Sequence, residues 1–156
     1  MPSGQVRRSL AGVTDLPDEL DGRSAEEVLA FLRTADDDAV RAAVHGIGTA
    51  RVLDLVFDGW AVRVGVRPGR QPGLLLFEVD DDGSPHRHAL ALTEGGARHL
   101  AEPQEKIRAT VRTSLVRFLK VAAGAQDPKR LVVTGRMRLS GDLVWAVATL
   151  AGMQQA

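Results

Sequence analysis

Residues 106–150 read KIRATVRTSLVRFLKVAAGAQDPKRLVVTGRMRLSGDLVWAVATL, and their reading decides the fold. Ile107, Ala109 and Val111 alternate with Arg108, Thr110 and Arg112, the period of two of a strand. Ser114 then stands as the cap of a helix carrying Leu115, Val116, Phe118, Leu119 and Ala122, which Gly124 stops. Asp127-Pro128 reads as a turn, and residues 131–140 as a strand. In that strand Val133, Gly135, Met137 and Leu139 share one face, and Thr134, Arg136, Arg138 and Ser140 the other. Asp142 can cap a last helix, Leu143 to Met153, whose apolar residues cover nearly its whole circumference. A helix of that kind is buried on all sides. A terminal helix on one face of a single sheet has one side left over. That side must meet a second helix, a second copy of the chain in a homodimer, or an apolar ligand.

Upstream, residues 1–21 read as a loose arm pinned by Leu16 and Leu20, and 22–48 as a helical extension. Ser24-Ala25-Glu26-Glu27 has the form of a capping box, ahead of Val28, Leu29 and Leu32. Asp36-Asp37-Asp38 starts a second helix that buries Val40, Ala43 and Val44 and ends at a left-handed Gly46. Residues 50–67 fit two periods. Val52, Leu53, Val56, Phe57 and Trp60 have helical spacing, while Trp60, Val62, Val64 and Val66 alternate like a strand, with Asp58-Gly59 as a hairpin turn. The helix, over 50–64 and ended by Gly65 and Pro68, is preferred. Strands over 74–80, 86–93 and 98–101 follow, separated by the turn clusters Asp81–Pro85 and Gly95-Gly96. The class expected is α+β, with helices on one face of a mixed, mostly antiparallel sheet of four or five strands.

Composition narrows the function. The 156 residues suit one domain, carry no formal net charge and include no cysteine. Neutral balance and only two Trp, four Phe and no Tyr argue against nucleic acid as a partner. No apolar run is long enough to span a bilayer, and the N-terminal residues lack the apolar core of a secretory signal, so stable membrane insertion is not expected and the cytoplasm is.

Few residues suggest chemistry. His86 and His88 lie two apart on one strand face and could share a metal only with Glu78 or Asp80 across the hairpin. An exposed strand end is the plainer reading, and neither a metal nor a cofactor is expected. Asp80-Asp81-Asp82-Gly83 reads as a turn, not a calcium loop. Arg108, Arg112, Arg136 and Arg138 form a basic stripe on the outer sheet face if their strands are neighbours.

The order strand, Leu-rich helix, Gly, Asp-Pro, G-basic-apolar-basic-apolar-x-G-Asp strand and apolar helix resembles the sterol carrier protein type 2 family. Here it runs through Ala109–Thr113, Leu115–Gly124, Asp127-Pro128, Gly135–Asp142 and Leu143–Leu150. The resemblance covers residues 49–156, strongest over 106–153, and leaves 1–48 outside the family core. It implies a five-stranded mixed sheet and a lipid-sized apolar tunnel closed by the final helix. The residues that would line it are Phe57, Trp60, Leu75, Phe77, Val116, Leu119, Met137, Val144, Trp145, Ala148 and Met153. The chain has Arg136, Arg138 and Ser140 where the family favours lysines, and it ends Met-Gln-Gln-Ala without a peroxisomal signal. With its Ala, Arg, Gly and Val richness, this points to a bacterial source and to a lipid-like or polyketide-like ligand rather than a sterol. The function expected is binding or carriage of such a molecule. The alternative is a cofactor-independent cyclase or isomerase of natural-product biosynthesis acting in the same tunnel, for which Glu78, His86, His88, Glu94 and His99 are the acid–base candidates.

Overall fold

The computed structural model describes residues 25–63, 71–94, 96–103 and 105–153. The expected arm over 1–21, Ser24 of the capping box, Gly95, the helix stop at Gly65 and Pro68, and the final Gln-Gln-Ala lie outside them.

Among the described residues three helices lead: α1 (Ala25–Thr34), α2 (Asp37–Ile47) and α3 (Thr49–Arg63). The Asp36 carboxylate accepts from the Ala39 amide at 2.8 Å and caps α2, whose first turn also holds Asp37 and Asp38. The helix does not stop at Gly46. It runs to Ile47, and Gly48, at φ 114°, is the cap. The reason is that α3 begins at the next residue, so the chain must swing there, in backbone space that favours glycine. Helical period wins over 50–63: Val52, Leu53, Phe57 and Trp60 are buried along α3, and Asp58-Gly59 lies within it.

The sheet contains β1 (Gly73–Asp81), β2 (Ser84–Thr93), β3 (Gly96–Leu100), β4 (Ile107–Ser114) and β5 (Met137–Gly141), in the order β3-β2-β1-β4-β5. Neighbours are antiparallel except β1 and β4, which are parallel. The mixed five-stranded sheet expected from the resemblance is therefore present. β4 runs directly into α4 (Leu115–Ala122). Ser114 occupies the cap position, but its side chain makes no capping bond; it accepts from Arg117 instead.

The largest correction concerns 131–140. Residues Pro128–Val133 form a short helix, α5, and the strand begins only at Met137. Asp127 is its cap, accepting from the Lys129 amide at 3.0 Å, and Pro128 opens the helix where its missing N–H costs nothing. Val133, placed on the strand's apolar face by alternation, is 85% exposed. The last helix, α6 (Leu143–Met153), is capped by Asp142 as expected, with the Trp145 amide donating at 3.1 Å. Gly141, at φ 90°, makes this corner possible: a Cβ there would lie 2.5 Å from the Arg108 carbonyl oxygen of β4.

One core joins the helices to one sheet face: Leu75, Phe77, Val79, Leu90, Leu92, Ala109 and Val111 from strands, Phe57, Trp60, Phe118, Leu119 and Leu150 from helices. Leu32, Val40 and Val44 of α1 and α2 belong to that same core. Arg33 donates to the Ala123 carbonyl, and Lys120 to that of Ala35, tying the N-terminal helices to the end of α4. The reverse face is not wholly polar. Leu74, Leu76, Ala89 and Ala91 are buried there in a second, smaller cluster, so β1 and β2 read as continuous apolar runs rather than alternating ones.

Candidate functional site

The covered sheet face has two contrasting ends. At the β2–β3 end, antiparallel pairing sets His99 opposite Leu90, so His88 and His99 point to the same face on adjacent strands. His88 Nδ1 lies 2.8 Å from His99 Nε2, and His99 Nδ1 lies 2.7 Å from Asp58 Oδ1 on α3. Asp54, one turn earlier on α3, approaches His88 Nδ1 to 3.8 Å. Phe57 stacks on both imidazoles, with centroids 4.7 and 5.3 Å away. Burial, and next the neighbouring His99, hold His88 below its ordinary pKa, so its ring is neutral near pH 7.

Behind these histidines the interior is filled by aromatic rings. Phe57, Trp60, Phe77 and Phe118 contact one another at centroid separations of 5.0 to 5.8 Å, all at 2% exposure or less. Edge and stacked contacts of this kind add to plain burial.

At the other end α6 crosses β4 and β5. Its buried stripe is Trp145, Ala146, Thr149, Leu150 and Met153. Trp145 is held along one edge: its Nε1 donates to the Gln71 carbonyl at 2.9 Å, and the Arg108 guanidinium carbon sits 5.1 Å from its ring centroid. Arg108 also donates to Asp142 Oδ2 at 3.0 and 3.1 Å and to the Pro72 carbonyl. The Trp145 amide, and next Arg108, keep the Asp142 carboxyl below the usual range. Thr149 lies mid-stripe at 6% exposure, and among the described residues its hydroxyl has no hydrogen-bond partner. The opposite side of this helix is apolar too, with Leu143 51% and Val144 83% exposed.

The residues expected to line a tunnel therefore separate. Phe57, Trp60 and Phe77 pack into the aromatic cluster; Leu75, Val116, Leu119, Met137, Trp145 and Met153 are buried in the same core; Ala148 is half-buried and Val144 faces outward. Of the acid–base candidates, only His88 and His99 meet. Glu78 lies on the reverse face, bridged by Arg112 and Arg87, so the metal set weighed and set aside from sequence, His86 and His88 with Glu78, is not brought together. Asp80 shares the parity of Glu78, Glu94 is exposed after β2, and His86 is half-buried nearer the Asp81 turn. The basic stripe is also broken, because Arg108 turns to Asp142. The sequence reading missed Asp54, Asp58 and Thr149. Its only signals were two carboxylates four apart beside Phe57 and a lone polar residue in an apolar run.

Residues 72–149, half of the chain, match the SCP-2 sterol transfer family. The crystal structure of sterol carrier protein 2 like 2 from Aedes aegypti is similar at a TM-score of 0.53 and 16% identity, over 67% of this chain and 98% of that one. The solution structure of the palmitated form of that protein gives the same score and identity over 65% and 93%. The sec-alkyl sulfatase PisA1 contains a region similar to 98% of this chain, 32% of its own length, at a TM-score of 0.54 and 16% identity. At such identities the likeness is one of fold. No curated protein matches the chain.

Proposed function

The chain belongs to the SCP-2 sterol transfer family, and from that premise we propose that it binds and carries a hydrophobic small molecule with one polar end, seated between α6 and the sheet. The observation that carries this is the Thr149 hydroxyl. It lies on the buried stripe of a helix that is otherwise apolar, without a partner among the described residues. A buried hydroxyl left unpaired costs about 1–3 kcal/mol. A ligand whose polar group accepts or donates there removes that cost, while its chain lies along Trp145, Leu150 and Met153. The palmitated relative supports a single acyl chain as the ligand class. The aromatic cluster, by contrast, is filled by four buried rings in mutual contact and is left out of the binding space.

The test is titration with two fluorescent probes of equal chain length, one ending in a carboxylate and one in a methyl group. The wild type should bind both, the carboxylate more tightly. Thr149→Val keeps the shape and removes the hydroxyl, and should weaken the carboxylate probe about fivefold, one hydrogen bond of about 1 kcal/mol, while leaving the other unchanged. A wild-type chain that binds neither probe refutes the reading.

A cyclase or isomerase remains a second reading because the run Asp58–His99–His88 forms a connected path for a proton. Turnover of an apolar intermediate, lost in His88→Gln with probe affinity unchanged, is the result it requires.

A further inference from the structure

We propose that Asp54, His88 and His99 bind one divalent transition-metal ion of the zinc class, with Asp58 as the positioning residue behind it. Each residue offers one ligand atom within 4.8 Å of the others, and the facing atoms are His88 Nδ1, His99 Nε2 and Asp54 Oδ1. Two nitrogens and one oxygen form a ligand set that suits zinc, and three protein ligands leave a fourth position for water.

His99 fixes where the protons between the two rings sit. Its Nδ1 faces the Asp58 carboxylate at 2.7 Å. An ionised carboxylate only accepts, so Nδ1 carries the proton and Nε2 presents a lone pair. That lone pair points at His88 Nδ1, 2.8 Å away. Without a cation, one proton on His88 must fill the gap between the two rings. A metal ion between them replaces that proton. The imidazole held by a carboxylate on its far nitrogen is also the usual support of a metal-bound histidine, fixing tautomer and ring direction.

The distances need only small adjustment. Ligands about 2.1 Å from a tetrahedral zinc lie about 3.4 Å apart. The two nitrogens must open by about half an ångström, and the 3.8 Å gap from Asp54 to His88 must close by less. The scaffold is rigid where it should be. Both histidines sit on paired strands, both rings stack on Phe57, and the carboxylates are one turn apart on α3. Asp54 is 59% exposed at its side chain, which gives the ion a way in from solvent. The sequence pointed to no metal, and this site shares only His88 with the hairpin set weighed there.

The full chain, stripped with chelator, should be titrated with Zn²⁺ by calorimetry and with Co²⁺ by absorption. One ion per chain, a raised melting temperature and the visible bands of four-coordinate cobalt are expected. His99→Gln should abolish binding. Asp54→Asn, at an exposed position that leaves the core untouched, should weaken zinc at least tenfold and keeps the test valid if the histidine variant fails to fold. Asp58→Asn should weaken it about 10–100-fold without removing a ligand. His45→Gln, in the separate group with Asp81 and Asp82, should leave the affinity of this site for zinc unchanged. Absence of stoichiometric binding to the wild type, or equal affinity in the wild type and Asp54→Asn, overturns the proposal.

Discussion

The two helices that flank the covered sheet face, α3 over β2 and β3 and α6 over β4 and β5, solve different problems. α3 is amphipathic: Leu53, Phe57 and Trp60 go inward, and Asp54 and Asp58 meet the only buried histidine and its neighbour. Asp58 is hydrogen-bonded to His99, and the helix's rings interlock. α6 is apolar nearly all round, yet its outer side leaves Leu143 and Val144 exposed, and its inner side holds a hydroxyl with no partner among the described residues. Interlocked rings leave little space for an apolar chain, whereas apolar surface beside a polar group is suited to one. The apolar ligand proposed above is therefore sought at the α6 end, and not among the rings at the α3 end.

Phe57→Ala tests the first half of that contrast. The ring touches Trp60, Phe77, Phe118 and both histidines, so its loss should cost about 3–5 kcal/mol in urea unfolding. A loss below about 1 kcal/mol would mean that this end is not the solid one. Thr149→Val tests the second half and should stabilise the ligand-free protein by about 1 kcal/mol, since it removes an unmet hydrogen bond from the interior. Destabilisation would show that the hydroxyl has a partner.

Acid should loosen the α6 end. The folded-state pKa of Asp142 is depressed, so its contribution is complete above the ordinary value of 3.8 and is lost as pH falls through the folded value. Asp81, which ties α2 to the β1–β2 turn, behaves alike: burial raises its pKa, but the hydrogen bonds from Thr49 and His45 outweigh this. In a Trp60→Phe background, Trp145 fluorescence should change below pH 3.8, and Asp142→Asn should reduce that dependence. A pH-independent signal would detach Asp142 from the integrity of α6. Val144→Ser, at an 83% exposed position, should alter stability by no more than about 0.5 kcal/mol. A larger loss would place a contact on the outer side of α6.

Much of the fold was legible because local signals agreed with it. Asp36 and Asp142 announce helix starts through acceptors placed to meet free amides, and the Asp82-Gly83 turn needs the positive φ those residues tolerate. Legibility failed where two local readings compete. Asp127-Pro128 is good chemistry for a turn and equally for a helix start, and the alternation from Val133 onward favoured the wrong one. The site was less legible than the fold. His88 was noticed, but its partners come from β3 and α3, and no spacing in the chain reveals which strand pairs with which.

The sequence alone determined the alternation of elements, the α+β class, the capped apolar helix at the end and, through the order of its motifs, the likeness to the sterol carrier family. These follow from periodicity and capping, which act over a few residues. Tertiary structure alone decided that His99 lies 2.8 Å from His88, that Glu78 is on the opposite face, that Val144 is outside and that Thr149 is buried without a partner among the described residues. Each depends on strand register and helix rotation, which are set by packing the whole core at once and which shift a side chain from one face to the other with a single step.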